Sequence, residues 1–579
     1  MVYIPSLTHS IAAILGDAQS QNPLLLADAY SSGGSLNLYI DKLGRVRGVE
    51  GWTKKNNAAV PTNTGNSAAM LRSLFMYRKI AAGSTTRQLL IALDDQTDEF
   101  ELYHSTDLGV NWTFIVDLGA GSANSIPDWA VIGDELFFTN GVVVPRMWNG
   151  SSLTTAGATQ LAAPTLADAG AGNLNGAGYK YRVVPIKANK TRKPASAASS
   201  ALQVQNKRIT VSWTADADVD VIGYEVWRTT GSSLDFYLVT FVSGRLTVSY
   251  VGDTLPDSEL ITRPAMSVVA AHGDPPPTGA YFCKAWKGRM LWGRTDSAPR
   301  KWFISDPGDP DSVYQDRSYV DCTDAASLGD VSTGGTPDFE GMFVIWCEKS
   351  VWFLSGTGVL INQILDWRLR RQSARTGTVH HRTVVRVPDG AVYTDQNGTV
   401  QRTRGSHLAY LTPEKDIRLL NGDGDDTIIS FPKTTTLARL NPSHWRKAYA
   451  YDDSTHGMFV WVFPVDNGTE PSIAVAWNYW YGTWHEWDAH NFGHVCQAES
   501  ATAANLLLAG EARTATGAFI YQLWNGDSRN GDNITYTLMT KPIYPPVFPG
   551  GLPDVMQEKR MEAAYLMFEK DASPTTITL

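Results

Sequence analysis

Ser105-Thr106-Asp107-Leu108-Gly109-Val110-Asn111-Trp112 matches Ser-x-Asp-x-Gly-x-x-Trp, the Asp-box pattern, a hairpin turn found mainly in the blades of β-propellers. The chemistry of the octet is local. Asp107 is placed to accept hydrogen bonds from backbone N–H groups of its own turn, Gly109 tolerates positive φ, and Trp112 can fold back under the hairpin as a small core. On either side, Glu99-Phe100-Glu101-Leu102-Tyr103 and Thr113-Phe114-Ile115-Val116 read as the two strands that the turn joins. The motif is structural, and Ser105, Asp107, Gly109 and Trp112 are its working residues.

Composition extends this reading to the whole chain. Of 579 residues, 43% are hydrophobic and 18% charged, with 19 Trp, 23 Tyr, 50 Gly and 29 Pro. Such an aromatic, turn-rich chain, poor in helix-forming runs, is expected to be all-β. A net charge of −9 argues against a general nucleic-acid coating role, since phosphate affinity comes from clustered Lys and Arg. Cys283, Cys322, Cys347 and Cys496 are scattered with no C-x-x-C spacing, which fits synthesis in a reducing compartment. The apolar stretch Ile11 to Leu15 is too short for a signal h-region or a membrane span, so no membrane-spanning segment is expected.

Asn-Gly, the strongest short hairpin signal, begins at Asn140, Asn149, Asn175, Asn397, Asn421, Asn467, Asn525 and Asn530. Strand-turn-strand clusters recur over 71–114, 130–153, 280–305, 341–365, 383–411, 447–487 and 495–524, about seven irregular blades without a WD or kelch signature. An early strand pair, Leu36 to Ile40 and Asp41 to Arg47, is expected to lie beside the last blade and close the ring, because unpaired first and last blades would expose sheet edges. Between the second and third clusters, runs at 179–183, 209–213, 224–228, 236–239 and 247–250 fit an inserted fibronectin-III or immunoglobulin-like β-sandwich without a cysteine pair. The expected organisation is N-terminal closing strands and first blades over 1–162, the sandwich over 163–264, the remaining blades over 265–525, and a C-terminal β extension over 526–579 that ends on an apparent strand, Thr575 to Leu579.

Catalytic signatures are scarce. His485-Glu486-Trp487-Asp488-Ala489-His490 nearly spells the zinc-protease motif, but its second His is five residues on, off the metal face of a helix, and the neighbourhood reads as a hairpin. Asn421, Asp423 and Asp425 offer oxygens at alternate positions like the start of a calcium loop, yet Pro432 stands where the bidentate Glu would be. No nucleophile elbow, P-loop or dinucleotide fingerprint occurs. No catalytic, cofactor or metal residue is assigned, and the protein is expected not to be an enzyme.

The most basic stretch of this acidic chain runs from Asp366 to Arg375, with Arg368, Arg370, Arg371 and Arg375, followed by His380-His381-Arg382. It reads either as a solvated loop between blades or as an electrostatic contact with a partner subunit or passing DNA. Lys187, Lys190, Arg192 and Lys193 form a second candidate patch on a loop of the sandwich. The aromatic run from Trp477 to Trp487 reads as packed blade strands, with a sugar platform at Trp480 and Trp484 as the other reading.

The order of these pieces carries a resemblance. Gly44-Arg45-Val46-Arg47-Gly48-Val49-Glu50-Gly51-Trp52, then blades, then a sandwich containing Tyr179-Lys180-Tyr181-Arg182-Val183 and Tyr224-Glu225-Val226-Trp227-Arg228-Thr229, then Gly288-Arg289-Met290-Leu291-Trp292-Gly293 and Lys301-Trp302-Phe303-Ile304-Ser305, resembles the tail nozzle and tail-tube ring proteins of short-tailed bacteriophages. The resemblance implies a structural virion protein of the tail, assembled in the host cytoplasm. It implies a homo-hexameric ring below a portal-side adaptor, contacting tail fibres or a needle or plug protein, with genomic DNA leaving through the lumen without sequence-specific binding. No cofactor comes with it. A glycan-binding propeller lectin and a sialidase-like glycosidase are the other readings of the same layout.

Overall fold

The computed structural model describes residues 17–18, 31–32, 35–60, 70–81, 84–94, 99–120, 126–157, 160–188, 190, 192–231, 233–266, 274–313, 315, 318–324, 330–358, 360–361, 364–499, 505–512 and 518–537. Seven antiparallel sheets form a β-propeller. Blade 1 is Met70–Ala81, Ser84–Asp94, Glu99–Ser105 and Thr113–Ala120; blade 2 is Asp128–Ile132, Glu135–Thr139, Arg146–Trp148 and Leu153–Thr155. Blade 3 starts at Phe282–Trp286, blade 4 at Ser332–Phe339, blade 5 at Val385–Val387, blade 6 at Tyr449–Asp453 and blade 7 at Phe492–Ala498. Each first strand lies against the first strand of the next blade, except that the turn His381–Thr383 stands in for blade 5 beside blade 4, and the last meets the first. That closed succession is what makes the sheets a propeller.

Ring closure uses the N-terminal part of the chain, one strand later than expected. Trp52–Lys54 adds to Ile520–Leu523 of blade 7, with Trp52 opposite Leu523 and Lys54 opposite Tyr521. The expected closing pair instead forms a separate hairpin, Leu38–Ile40 with Val46–Gly48. It covers the edge of blade 6, where the Asn37 N–H donates to the Glu486 carbonyl and the Trp487 indole to the Leu38 carbonyl. Two exposed strand edges are thereby blocked by neighbouring stretches of one segment.

The Asp box sits between the third and fourth strands of blade 1 and works as its residues suggest. The Asp107 carboxylate accepts from the Asn111 N–H at 2.9 Å and from the Ser105 hydroxyl at 2.7 Å, and the Trp112 indole donates to the Gly109 carbonyl at 3.1 Å. Gly109 has φ +89°, and a Cβ there would press on Ile520 of blade 7 at 3.3 Å.

Between blades 2 and 3 stands a sandwich of two three-stranded sheets, Thr165–Tyr179 with Leu202–Ser212 and Ser249–Asp253, and Tyr181–Lys187 with Val221–Thr229 and Phe236–Ser243. Its core gathers Tyr181, Val183, Ile209, Val211, Tyr224 and Val226. At one margin of that core Arg228, fully buried, donates to Asp253 at 2.8 Å, and the Tyr181 hydroxyl donates to the same oxygen at 2.7 Å. The first strand, Thr165–Tyr179, is absent from the sequence reading because it is rich in Gly and Ala; repeated register shifts along it accommodate the irregularity, and Asn175-Gly176 lies inside it rather than in a hairpin turn. Of the C-terminal extension, Ser528–Arg529 and Asp532–Asn533 form a small hairpin beside Trp52, and Thr537 bridges to Leu36. The terminal strand expected at 575–579 lies outside the described residues.

Candidate functional site

The seven first strands converge on an axis, and the residues that meet there come from parts of the chain with no sequence proximity. His380, His381 and Arg382 lead into blade 5 and project across the ring. His381 Nε2 lies 3.2 Å from Asp128 of blade 2, and since a carboxylate only accepts, that nitrogen carries the proton. Asp128 also accepts from Lys284 of blade 3 at 2.6 Å and from the Cys283 N–H at 3.0 Å. Arg382 donates to the Arg72 carbonyl of blade 1 at 3.1 Å and to the Gly493 carbonyl of blade 7 at 3.3 Å. Gly334 of blade 4, at φ +141°, leaves the space that His381 fills: a Cβ there would lie 2.2 Å from its ring. Five blades are thus joined through one three-residue turn.

Electrostatics follow from this crowding. Burial alone would raise the Asp128 carboxyl, but Lys284 and His381 beside it hold it well below the usual carboxylate range. His380, His381 and His494 are all pushed down, first by burial, with the charges of Lys284 and Arg382 adding to it. Burial also brings the Arg382 guanidinium down to about 10. The three histidines are neutral at pH 7, so the axis is a packed, hydrogen-bonded plug with one strong ion pair. Its side chains bond one another and nearby backbone carbonyls, while His381 Nδ1 and Arg382 Nε are buried without a hydrogen-bond partner among the described residues.

The basic stretch before this turn goes elsewhere. Arg368–Arg371 is a strand rather than a loop, the outermost of blade 4, paired on one side with Val351–Ser355. Arg371 is held by Asp324 at 3.1 Å, whereas Arg368, Arg370 and Arg375 are exposed with no side-chain partner among the described residues. Arginine on an edge strand also discourages pairing with another strand.

The second basic patch is largely neutralised within the sandwich. Arg192 pairs with Glu225 at 2.9 Å, Lys193 with Asp216 at 2.7 Å and Lys187 with Asp218 at 3.4 Å; Lys190 remains exposed. Lys187 also faces the propeller across the junction. Burial lifts the Glu135 carboxyl of blade 2 to about 7 against the pull of Lys187.

The remaining candidates resolve into packing. Trp484 is 1% exposed and stacks on Trp477 at 6.1 Å, so it offers no face to a sugar; Trp480 is half-buried. His485 lies inside the strand Thr483–Trp487 and His490 beyond it, both buried, with burial pushing their imidazoles down to about 3 and about 4. Asn421 caps its own turn by accepting from the Asp423 and Asp425 N–H groups, and Asp425 accepts from the Ser373 hydroxyl. Asp423 lines an open cleft of about 850 Å³ shared with Glu340, Arg402, Arg404 and His407. Among the described residues, no group of three or more His, Cys, Asp or Glu side chains is arranged to hold a metal, and no helix is long and apolar enough to cross a membrane.

No protein-family model matches the chain, and no curated protein does. Solved structures similar to it include the computationally designed Ika8 protein (6% identity, 81% of this chain and 100% of that one, TM-score 0.29). Others are BBS1N in complex with ARL6DN (9%, 82% and 97%, TM-score 0.25) and the WD40 domain of SCAP from fission yeast (7%, 79% and 95%, TM-score 0.25).

Proposed function

We propose that the protein is a structural subunit of a bacteriophage tail, a nozzle or tail-tube ring protein that assembles in six copies around the path of the exiting genome. The observation that carries this reading beyond the resemblance in layout is the axis. A propeller that acts on or binds a small ligand commonly keeps polar groups free in a concave site. Here Asp128, Lys284, His381 and Arg382 are bonded to one another or to backbone across five blades. Such an axis supplies rigidity rather than chemistry, and DNA would pass through a lumen framed by several subunits, not through the propeller.

Net charge supports the same reading. Copies carrying −9 each present DNA with a repelling wall on which it slides instead of binding. The unpaired arginines at the rim of blade 4 then serve contacts with a neighbouring subunit, the portal-side adaptor or the fibres and plug. A lectin reading loses its platform with Trp484 inside the blade. Mass photometry over a concentration series, with negative-stain images of the same sample, tests the proposal. Closed rings with a central hole are expected; a protein that remains monomeric both alone and with its portal-side adaptor overturns it.

A further inference from the structure

The first and second strands of a propeller blade are antiparallel neighbours, so a short turn is enough to join them. Two residues do so in each of blades 1 to 4, four in blade 6 and seven in blade 7. Blade 5 instead spends residues 388–406 between Val385–Val387 and His407–Leu411, and folds part of them into an extra hairpin, Val392–Thr394 with Val400–Arg402. The blade does not need this excursion for its own sheet, since Val385–Val387 pairs directly with His407–Leu411. Connections of such length inside a compact fold are commonly functional.

The excursion helps to enclose the open cleft of about 850 Å³, together with Glu340 from the two-residue turn of blade 4 and Asn421 to Asp423 from the last turn of blade 5. These walls are held in place. The Val392 N–H donates to the Tyr479 carbonyl of blade 6 at 2.8 Å, the Thr403 hydroxyl donates to the Pro388 carbonyl at 2.8 Å, and the Gly405 N–H donates to Asp389 at 3.0 Å. Glu340 sits at φ +50° in a turn that Arg386 of blade 5 ties down through the Asp338 carbonyl at 3.0 Å, and Asn421 caps the third segment. The polar side chains that enter the cleft are free: Glu340, Gln401, Arg404, Ser406 and Asp423 are exposed, and none of their side chains has a hydrogen-bond partner among the described residues.

The lining selects a class of ligand. Two carboxylates, Glu340 and Asp423, and two guanidiniums, Arg402 and Arg404, cancel in formal charge, so the cleft has no net pull on a phosphate backbone or on a simple ion. Carboxylates only accept hydrogen bonds, guanidiniums only donate, and the Gln401 amide and Ser406 hydroxyl do both. A matching ligand offers donors and acceptors in close succession, with no net charge and little apolar surface, since Val400 is the one large apolar side chain in the lining. Neighbouring hydroxyls of a sugar meet that description, each donating to a carboxylate while accepting from an N–H. An extended peptide added to the edge of Val400–Arg402 would need pockets for its alternate side chains, and the lining supplies none that is apolar.

We propose that the cleft between blades 4 and 5 binds a neutral oligosaccharide, with Glu340 and Asp423 accepting from its hydroxyls and Gln401 and Arg404 donating to them. The site uses no residue of the axis or of the aromatic run from Trp477 to Trp487, and it does not depend on ring assembly. Saturation-transfer NMR on the full chain tests it, with neutral oligosaccharides of glucose, mannose, galactose and N-acetylglucosamine as probes and a sulfated oligosaccharide and a polyglutamate peptide as charged controls. Transfer to at least one neutral probe and to neither control is expected. Arg404→Ala and Asp423→Ala, at exposed positions, are each expected to keep the wild-type melting curve and to weaken binding by about tenfold or more, as loss of a hydrogen bond to a charged group does. Arg370→Glu, outside the lining, is expected to bind as wild type does. Transfer to no neutral probe, transfer confined to the charged controls, or undiminished binding in both cleft variants overturns the proposal, and none of these results bears on whether the protein forms rings.

Discussion

Arg368–Arg375 and His380–Arg382 are two parts of one basic stretch, and the fold sends them to opposite extremes of the molecule. The first forms the rim of blade 4, where guanidinium groups stay in water. The second fills the axis, where Asp128 accepts from His381 and the Arg72 and Gly493 carbonyls accept from Arg382. The difference teaches that positive charge in this chain has no single meaning. In water a lone arginine costs little and remains available to a partner; in the interior it persists only where the fold has assembled its acceptors, and it is then unavailable.

The strongest way to break the comparison is at the axis. Asp128→Ala leaves the Lys284 ammonium without its carboxylate inside the ring and deprives the Cys283 N–H of its acceptor. Loss of one partner of a buried pair costs about 3–5 kcal/mol, so a clear fall in the denaturant midpoint is expected, with Asp128→Asn falling less because it retains an acceptor. An unchanged midpoint for Asp128→Ala would show that the plug carries no stability.

Acid is expected to act next. His380, His381, His485, His490 and His494 all have lowered pKa values in the fold, so the unfolded chain, with ordinary histidines near 6.5, binds more protons. Their contribution to stability is complete above about pH 6.5 and is lost as pH falls toward the folded values. The slope is up to about 1.4 kcal/mol per pH unit for each histidine. A melting temperature that is flat from pH 7 to 8 and falls steeply between pH 6 and 4.5 is the expected profile; one that falls equally after all five are replaced would assign acid sensitivity to other groups.

Smaller effects belong to the rim. Arg371→Glu places a carboxylate beside Asp324 in place of a partly exposed ion pair, and a destabilisation of under about 1 kcal/mol is expected. Arg368→Glu with Arg370→Glu is expected to leave the melting curve unchanged and to impair ring or tail assembly. Loss of stability in that double variant would mean that the rim arginines are structural.

Some of this architecture was legible because it is written in short-range chemistry. The Asp box needs only eight residues, and seven strand clusters could be counted from alternation and Asn-Gly turns. The strand Thr165–Tyr179 could not be, since Gly and Ala give no alternation for a sheet face to reveal. Nor could the closing strand, because Trp52–Lys54 and Val46–Gly48 have similar local character and differ in which edge they reach. The aromatic run from Trp477 to Trp487 was readable as packed strand for the opposite reason: it is dense in strong β-formers.

The amino-acid sequence by itself determined the all-β class, the repeated blades and the position of the inserted sandwich, since periodicity and turn chemistry act over a few residues and survive any arrangement of the rest. Only the tertiary structure decided what the charges do. Asp128 and His381 are 253 positions apart and Arg382 and Arg72 are 310 apart, and whether such groups meet depends on ring closure, which no local pattern encodes. Closure turns one basic turn into a buried plug. It leaves its neighbour, a few residues upstream, in water.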